Sequence, residues 1–593
     1  MKRMIFNTIA LGLVLTVSAA CQKELGYTGF VDQDAAASAE ISLSTDKAVY
    51  KAGETVNFSA SSMPEGAIYV RYKHLGEQLG TEQALTGNTW TWTAPAEDFK
   101  GYMAEVYQKS TEGDRILATI AVDVSSDWSR FPRYGFLATF GEMDAETCDG
   151  IVRDLNRLHI NGVQFQDWHW KHHWPLAQDK VTGAPLETYI DIASRNTSLQ
   201  TLRNYIASCH KYGMKAIFYN LCFGALDDAG EDGVKDDWYM YKDQDHQTKD
   251  MHELGAPFKS SIYLVNPANA EWLSYIGEKT DDVYKTLEFD GYQIDQLGGR
   301  GTLYDYNGEE IDLAAGYAAF INEMKQKQPE KDLIMNAVSS FGSRQILGTG
   351  KTAFAYNELW GSEAQFSDLK KVIDANISYG GENMKTVFAA YMNYDKANNP
   401  GSFNTPGILL TDAVMFALGG SHLEMGEHML CKEYFPNSNL GMSAELENAI
   451  IAYYDFMTAY QNLLRDGGTF NDVAVSSSDG TYAFKSWEPA AGNIITLAKE
   501  VGNRQTIHFL NFLNADSTSW RDLNGTMPEP SEVNNLSVTI QLPENKTVES
   551  AWIASPDIEC GASRTLAFTQ EGQTVTLVVP SLKYWDMLVL EYE

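Results

Sequence analysis

Between residues 127 and 467 the chain alternates two hydrophobic periods. Short, nearly continuous apolar runs such as YGFLATF (134–140), NGVQFQDW (161–168), MKAIFYNL (214–221) and GYQIDQLG (291–298) read as strands buried on both faces. LIMNAV (333–338), FAYNELW (354–360), TVFAAYMN (386–393) and SHLEMGEH (421–428) continue the series. Stretches with apolar residues every three or four positions follow them, among them AETCDGIVRDLNRLHI, SLQTLRNYIASCHKYG, AEWLSYIGEKTDDVYKTL and ENAIIAYYDFMTAYQNLL, and these predict amphipathic helices. Eight such strand–helix units predict a (β/α)8 TIM barrel over 127–467, because the strands are short, apolar and each followed by helix-length sequence. The helical pattern after the fifth strand is the weakest.

The pattern changes on both sides of this region. Residues 41–126 alternate apolar with polar positions in runs such as AIYVRYKHLG, NTWTWTA and RILATIAVDVS, separated by Gly, Pro and Asn turns, which predicts a small β-sandwich. DKAVYKAGETV within it resembles the opening strands of bacterial immunoglobulin-like modules. Residues 468–593 return to period-two patterning in TYAFKSWE, IITLAKEVGNRQTIHFLNFL, LSVTIQL and TVTLVVPSLKYWDMLVLEY, predicting a C-terminal antiparallel β-sandwich whose expected role is support.

The first 21 residues carry an export signal: Lys2 and Arg3, an apolar stretch from about Ile9 to Val17, then Ser18, Ala19 and Ala20 before Cys21. Small residues directly before a cysteine resemble a bacterial lipoprotein signal, which implies lipidation of Cys21, a polar tether over 22–40, and residence in a Gram-negative cell envelope, facing the periplasm or the surface. The apolar stretch is too short for a good membrane span, so membrane contact is expected through the lipid alone. Five further cysteines are widely scattered and give no dense disulfide framework.

Composition narrows the partners. A formal charge of −34, spread along the chain, argues against nucleic acid, and a neutral substrate fits better. Thirteen Trp and 31 Tyr supply flat apolar faces with polar edges of the kind that stack on sugar rings. No CxxC or HExxH spacing is present, so neither a metal nor a cofactor is expected; the adjacent His172 and His173 do not both face one ion from a regular strand.

Catalytic groups of a barrel sit at the C-terminal ends of its strands. Asp295 occupies that position on the fourth strand and Glu358 on the sixth, with Asp167, Asn220, Asn336, Asn393 and Glu427 at other strand ends. Each rim acid alone reads equally as a helix cap or ion-pair partner. Two of them across a barrel mouth, without a metal motif or a Ser/His/Asp set, suggest glycoside hydrolysis, in which one carboxylate attacks or shields the anomeric carbon and a protonated partner donates to the leaving oxygen.

FDGYQIDQLG and AYNELW resemble the two catalytic blocks of glycoside hydrolase family 66, the endo-dextranases and cycloisomaltooligosaccharide glucanotransferases. FQDWHWKHHWPL and LEMGEHMLCKEYFPN resemble two further blocks of that family, in the same order. The resemblance implies that Asp295 is the nucleophile and Glu358 the general acid/base. It also implies that Asp167, Trp170, Gln293 and Asn336 meet the sugar behind the scissile bond. Asn220 and Glu427 are further candidate substrate contacts, while Trp168 and Trp174 read as packing residues and His422 and His428 as hydrogen-bonding partners. The expected function is a retaining endo-hydrolase of internal α-1,6-glucosidic bonds in dextran. A barrel α-glycosidase or glucanotransferase of other specificity, and a non-catalytic glycan-binding lipoprotein, are the alternatives. The interval between TVFAAYMN and the next helical pattern leaves no room for the extra carbohydrate-binding module of the cyclising members, which favours linear products.

Overall fold

The computed structural model describes residues 41–111 and 113–593, so the expected export segment, Cys21 and the tether lie outside the described residues. Its centre holds parallel strands β1 (Tyr134–Leu137), β2 (Gly162–Phe165), β3 (Lys215–Leu221), β4 (Gly291–Asp295), β5 (Asp332–Met335), β6 (Ala355–Glu358), β7 (Thr386–Ala389) and β8 (Ser421–His422). Neighbours pair in chain order from β1 to β5 and again from β6 to β8. A parallel bridge between Asn336 and Tyr356 joins the two groups, and the Phe136 N–H donates to Met425 O at 3.2 Å, linking β1 to the segment leaving β8.

Each strand leads into a helix: α1 (Ala145–Arg157), α2 (Leu199–Lys211), α3 (Ala270–Thr286), α4 (Leu313–Lys327), α5 (Ser343–Gly348), α6 (Phe366–Gly380), α7 (Thr405–Ala417) and α8 (Ala444–Ala459). Local chemistry sets their starts. Asp144, Ser198, Asp312 and Ser443 each accept a backbone N–H from the third residue after them, and Asn269 accepts two, satisfying donors that the first turn leaves open. The weak fifth pattern is the shortest of these helices.

Alternation along the strands sorts their side chains into two sets. Tyr134 and Phe136 of β1, Ile217, Ile334, Tyr356, Val387 and Ala389 belong to one buried cluster enclosed by the strands. Phe165, Phe218, Tyr292 and Phe388 point the other way, into the larger core shared with the helices. Most of the observed strands end earlier than expected from the apolar runs. Asp167 and Asn393 adopt left-handed backbone with φ of 51° and 52°, so the chain leaves extended geometry just beyond β2 and β7.

Upstream, a three-stranded sheet (Leu43–Thr45, Thr55–Ala60, Thr89–Thr93) and a four-stranded antiparallel sheet (Ile68–His74, Glu77–Leu85, Lys100–Lys109, Asp114–Val124) enclose Val56, Phe58, Val70, Trp90 and Ile120. Downstream, a seven-stranded and a four-stranded sheet enclose Ile507, Phe509, Val538, Val579 and Leu588. One pairing there departs from the expected antiparallel pattern: Phe484–Ser486 runs parallel to Ile494–Val501. The segment between them carries Pro489 and a left-handed Gly492 (φ 77°), which arch the chain back instead of closing a hairpin. Arg133 fastens the upstream sheets to the centre, donating to Asp123 Oδ2 at 2.6 Å and to Gln461 Oε1 at 3.3 Å.

Candidate active site

Asp295 and Glu358 are the last residues of β4 and β6, on the strand face shared with Gln293 and Tyr356. Strand β5 lies between them, and Asn336, one residue beyond its end, reaches both. Its Nδ2 donates to Asp295 Oδ1 at 2.8 Å and to Glu358 Oε2 at 2.9 Å, so those oxygens are no further apart than the sum of the two legs, 5.7 Å. The Asn336 amide is oriented by its own Oδ1, which accepts the Glu358 backbone N–H at 3.2 Å. Tyr219 donates its hydroxyl to Asp295 Oδ2 at 2.6 Å, and Tyr391 donates to Glu358 Oε1 at 2.8 Å. All four carboxylate oxygens therefore meet neutral donors.

This environment acts on their ionisation. Burial pushes Glu358 up to about 7 and the adjacent Asp295 charge adds to the rise, against the hydrogen bonds from Asn336 and Tyr391. Burial also raises Asp295, while the Tyr219 and Asn336 bonds favour its charged form. The pair can hold one proton near neutrality, giving an acid beside an ionised carboxylate. Both line a cavity of about 380 Å³ with Tyr219, Gln293, Asn336 and Trp360, within the range of small-ligand pockets.

The other expected site residues divide. Gln293 and Asn336 line this cavity, and the buried Gln293 Oε1 has no hydrogen-bond partner there. Asp167 is buried beside the cavity; burial lifts its pKa to about 7, with the Asp295 charge among the causes. Trp170 is half-buried outside the cavity lining, edge-on to Trp174 at 5.7 Å with the Lys171 ammonium 4.7 Å from its ring centre. Trp168 packs on Phe218 and Phe289, as expected.

Two of the expected contacts are not brought to the cavity wall. Asn220 is turned away from the cavity, its Oδ1 accepting the Leu221 N–H at 2.9 Å and its Nδ2 donating to His172 O at 2.8 Å. Register explains this: Tyr219, not Asn220, pairs with Gln293 and shares its inward face. Glu427 is likewise outside the cavity lining, with Oε1 accepting the N–H groups of Ala138 and Thr139 at 3.1 and 2.9 Å and so fixing the loop after β1.

Sequence reasoning missed Tyr219, Tyr391, Trp360, His252 and Glu433, all in the cavity wall. The signal for the two tyrosines was strand parity: Tyr219 lies two residues from Ile217 and Tyr391 two from Ala389, both inward-facing. His252 ends a two-residue strand, Met251–His252, too short to show a period, and Glu433 comes from a loop.

Two side-chain groups have ligand atoms close enough for a metal ion. Asp228 and Asp232 already share Lys171, His173 meets Asp232 at 3.0 Å, and Lys180 adds a second ammonium on Asp232, supplying the positive charge an ion would bring. In the other, His422 Nδ1 is 2.9 Å from Asp412 Oδ1 and 3.3 Å from Glu424 Oε2, while its Nε2 donates to Ala390 O at 2.8 Å. Burial and the Glu424 charge raise Asp412 to about 8, the two carboxylates raise His422 against its burial, and Asp412 Oδ2 and Glu424 Oε2 have no hydrogen-bond partner. His422 is thus a hydrogen-bonding residue beneath the rim.

Paired carboxylates in a cavity at the ends of parallel strands can supply the acid and the nucleophile that glycosidic bond cleavage needs. The family model "Glycosyl hydrolase family 66" matches residues 45–589, and the chain belongs to that family. A cycloisomaltooligosaccharide glucanotransferase of Niallia circulans is 27% identical, the match covering 92% of this chain and 71% of the relative. A dextranase of Streptococcus salivarius is 24% identical over 83% of this chain and 67% of its own. Among solved structures, a Paenibacillus sp. cycloisomaltooligosaccharide glucanotransferase complexed with cycloisomaltoheptaose superposes with a TM-score of 0.85 at 25% identity, covering 95% of this chain and all of that one.

Proposed function

We propose that this protein is a retaining endo-glycoside hydrolase that cleaves internal α-1,6-glucosidic bonds of dextran and releases linear isomaltooligosaccharides. Eight parallel strands in chain order, each followed by a helix, support a (β/α)8 barrel with a β-sandwich on either side, its site at the C-terminal strand ends. The observation that carries the chemistry is the Asn336 bridge, which keeps the facing oxygens of Asp295 and Glu358 within 5.7 Å of each other. Retaining pairs stand about 5–5.5 Å apart and inverting pairs about 6.5–9.5 Å, the longer gap being needed to seat a water.

In this reading Asp295 Oδ1 or Oδ2 attacks the anomeric carbon while the Glu358 carboxyl protonates the departing glycosidic oxygen. Glu358, now ionised, then takes a proton from water as that water displaces Asp295. Tyr219 and Asn336 hold the attacking carboxylate in place. The relatives' activities bring dextran to this chain, and the stretch after β7 favours hydrolysis. That stretch, residues 390–404 before α7, has space for a rim loop and not for a folded module, for which about 40 residues are needed.

Incubation with dextran tests this: linear oligosaccharides and new reducing ends are expected, with the α-configuration present in the first-formed product by NMR. An inverted product overturns the retaining assignment. Predominantly cyclic products select the second reading, a glucanotransferase, which the names of the Niallia and Paenibacillus relatives favour. Export with lipid attachment at Cys21 is part of the proposal, tested by fatty-acid labelling of wild type against Cys21→Ala. No helix among the described residues is long and apolar enough to cross a membrane.

A further inference from the structure

The C-terminal β-domain sends one connection, residues 512–532 between the strands Arg504–Asn511 and Val533–Gln541, onto the rim that carries the carboxylate pair. It holds two rim loops at once. On the loop after β6, the Trp520 N–H donates to Ala364 O at 3.1 Å, Trp520 Nε1 donates to Glu363 O at 2.6 Å, and the Phe366 N–H donates to Thr518 O at 2.9 Å. On the loop after β7, the Asn393 N–H donates to Arg521 O at 3.1 Å, and the Asp395 N–H donates to Leu523 O at 3.0 Å.

Between those anchors sits Arg521, only 8% exposed. Its Nε has no hydrogen-bond partner, and burial opposes its charge while the Asp395 and Glu433 carboxylates favour it from a distance. A buried cation without a direct ion pair is costly unless other groups share in receiving its charge. Here aromatic faces do so: the guanidinium carbon is 5.6 Å from the ring centres of both Trp360 and Tyr394, and 5.8 Å from that of Trp520.

Of those rings Trp360 lines the cavity, and Tyr394 stands next to it outside the lining. Trp360 lines the cavity two residues after Glu358, its ring 5.4 Å from Tyr391, the hydroxyl donor to Glu358. Tyr394 lies 6.0 Å from Trp360 and donates its hydroxyl to Glu433 Oε1 at 2.7 Å, another residue of the cavity wall. If anchoring the loops were all that was needed, the backbone hydrogen bonds would suffice. A planar cation 5.6 Å from both ring centres, which stand edge-on to each other at 74°, also restrains their tilt, which a flexible ammonium does less well.

We propose that Arg521 is a positioning residue through which the C-terminal β-domain takes part in substrate recognition, holding Trp360 and Tyr394 as an aromatic platform for a glucose unit of the bound chain beside Glu358. This rests on the α-glucan reading above and deepens it: the domain tunes the site in addition to supporting it. A pyranose face stacking on an indole is lost when the indole tilts, so the effect falls on binding of chains that reach the platform.

The test is a coupling measurement in the full-length protein with Arg521→Gln, Arg521→Lys, Trp360→Ala and the double variant Arg521→Gln/Trp360→Ala. On dextran, Arg521→Gln is expected to raise KM on the order of tenfold, the size of a lost stacking contact, with kcat within about threefold of wild type. Arg521→Lys recovers part of the loss because it keeps the charge without the plane. In the Trp360→Ala background Arg521→Gln raises KM by less than it does in wild type, because only the part of its effect that runs through Tyr394 is left. An unchanged KM in Arg521→Gln, or additive effects in the double variant, overturns the proposal. If Arg521→Gln does not fold, Arg521→Lys carries the decision by the same KM criterion, alone and with Trp360→Ala. Wild-type turnover of dextran in the same assay judges the α-glucan reading separately: its absence sinks that reading, whereas turnover without coupling sinks only the role of Arg521.

Discussion

Two sets of carboxylates in this molecule, one half-buried in the cavity and one fully buried, are satisfied in opposite ways. Asp295 and Glu358 receive only neutral donors, from Tyr219, Asn336 and Tyr391, and burial raises both pKa values. Asp455, 1% exposed on α8, accepts from Arg157 Nη2 at 2.8 Å, from His159 Nε2 at 2.7 Å and from the Ala121 N–H at 2.8 Å. Burial pushes Asp455 upward too, but the Arg157 cation and the His159 bond outweigh it and hold the carboxyl below its ordinary value. The first arrangement leaves two like charges crowded and one proton movable, which costs stability and suits catalysis. The second ties the upstream sheets to the central unit and has no proton to give. Their responses to substitution should therefore diverge in kind.

The largest effect belongs to the nucleophile of the proposed mechanism. Asp295→Ala should lower kcat on dextran by at least about 10⁴-fold, since no glycosyl-enzyme intermediate forms. The melting temperature should not fall, because removing one of two crowded carboxylates relieves their repulsion. A kcat within tenfold of wild type would place the chemistry elsewhere.

Glu358→Ala sharpens the contrast within the pair. Its kcat on dextran should drop about 10²–10⁴-fold, while an aryl glucoside whose leaving group needs no proton should retain much of its rate, provided the cavity admits it. Equal losses on both substrates would argue that Glu358 is not the acid.

Asp455→Ala should reverse the pattern. Stranding Arg157 and His159 costs about 3 kcal/mol of stability, readable as an earlier urea transition, with kcat on dextran within about twofold of wild type. A stable variant with impaired kcat would break the division between the two regions.

Much of this was legible from residues alone, and the limits have physical causes. Eight apolar runs located the parallel strands because strands buried on both faces have few polar interruptions. Asp295 and Glu358 stood out because a carboxylate ending such a run lacks an apolar role. Asn220 also ends such a run, yet it stands an odd number of residues from the inward-facing Ile217 and so faces away from the cavity. Arg521 left no local signal: its partners Trp360 and Tyr394 are well over 100 positions away in the chain, and only the folded connection brings them together.

The smallest effect expected is on stability as a function of pH, and here the two regions have opposite signs. Glu358 has a folded pKa of about 7, above the value of about 4.5 for an unperturbed glutamate, so the folded state binds its proton more tightly than the unfolded state does. Its contribution is fully present below about 4.5 and is lost as pH rises towards 7, where ionising it puts a second charge beside Asp295. Asp455, with a lowered folded pKa, contributes above the unfolded aspartate value of about 3.8 and loses that contribution as pH falls through its folded pKa. Glu358→Gln keeps the shape and removes the titration. Relative to wild type, its melting temperature should gain on the order of a few degrees between pH 4.5 and 7.5, whereas Asp455→Asn should lose its disadvantage only as pH drops below about 4. Thermal scans of both variants across pH 3–8 read this directly. Parallel curves for wild type and Glu358→Gln would mean that the site carboxyl is ionised throughout, and with it would go the assignment of Glu358 as a proton donor near neutrality.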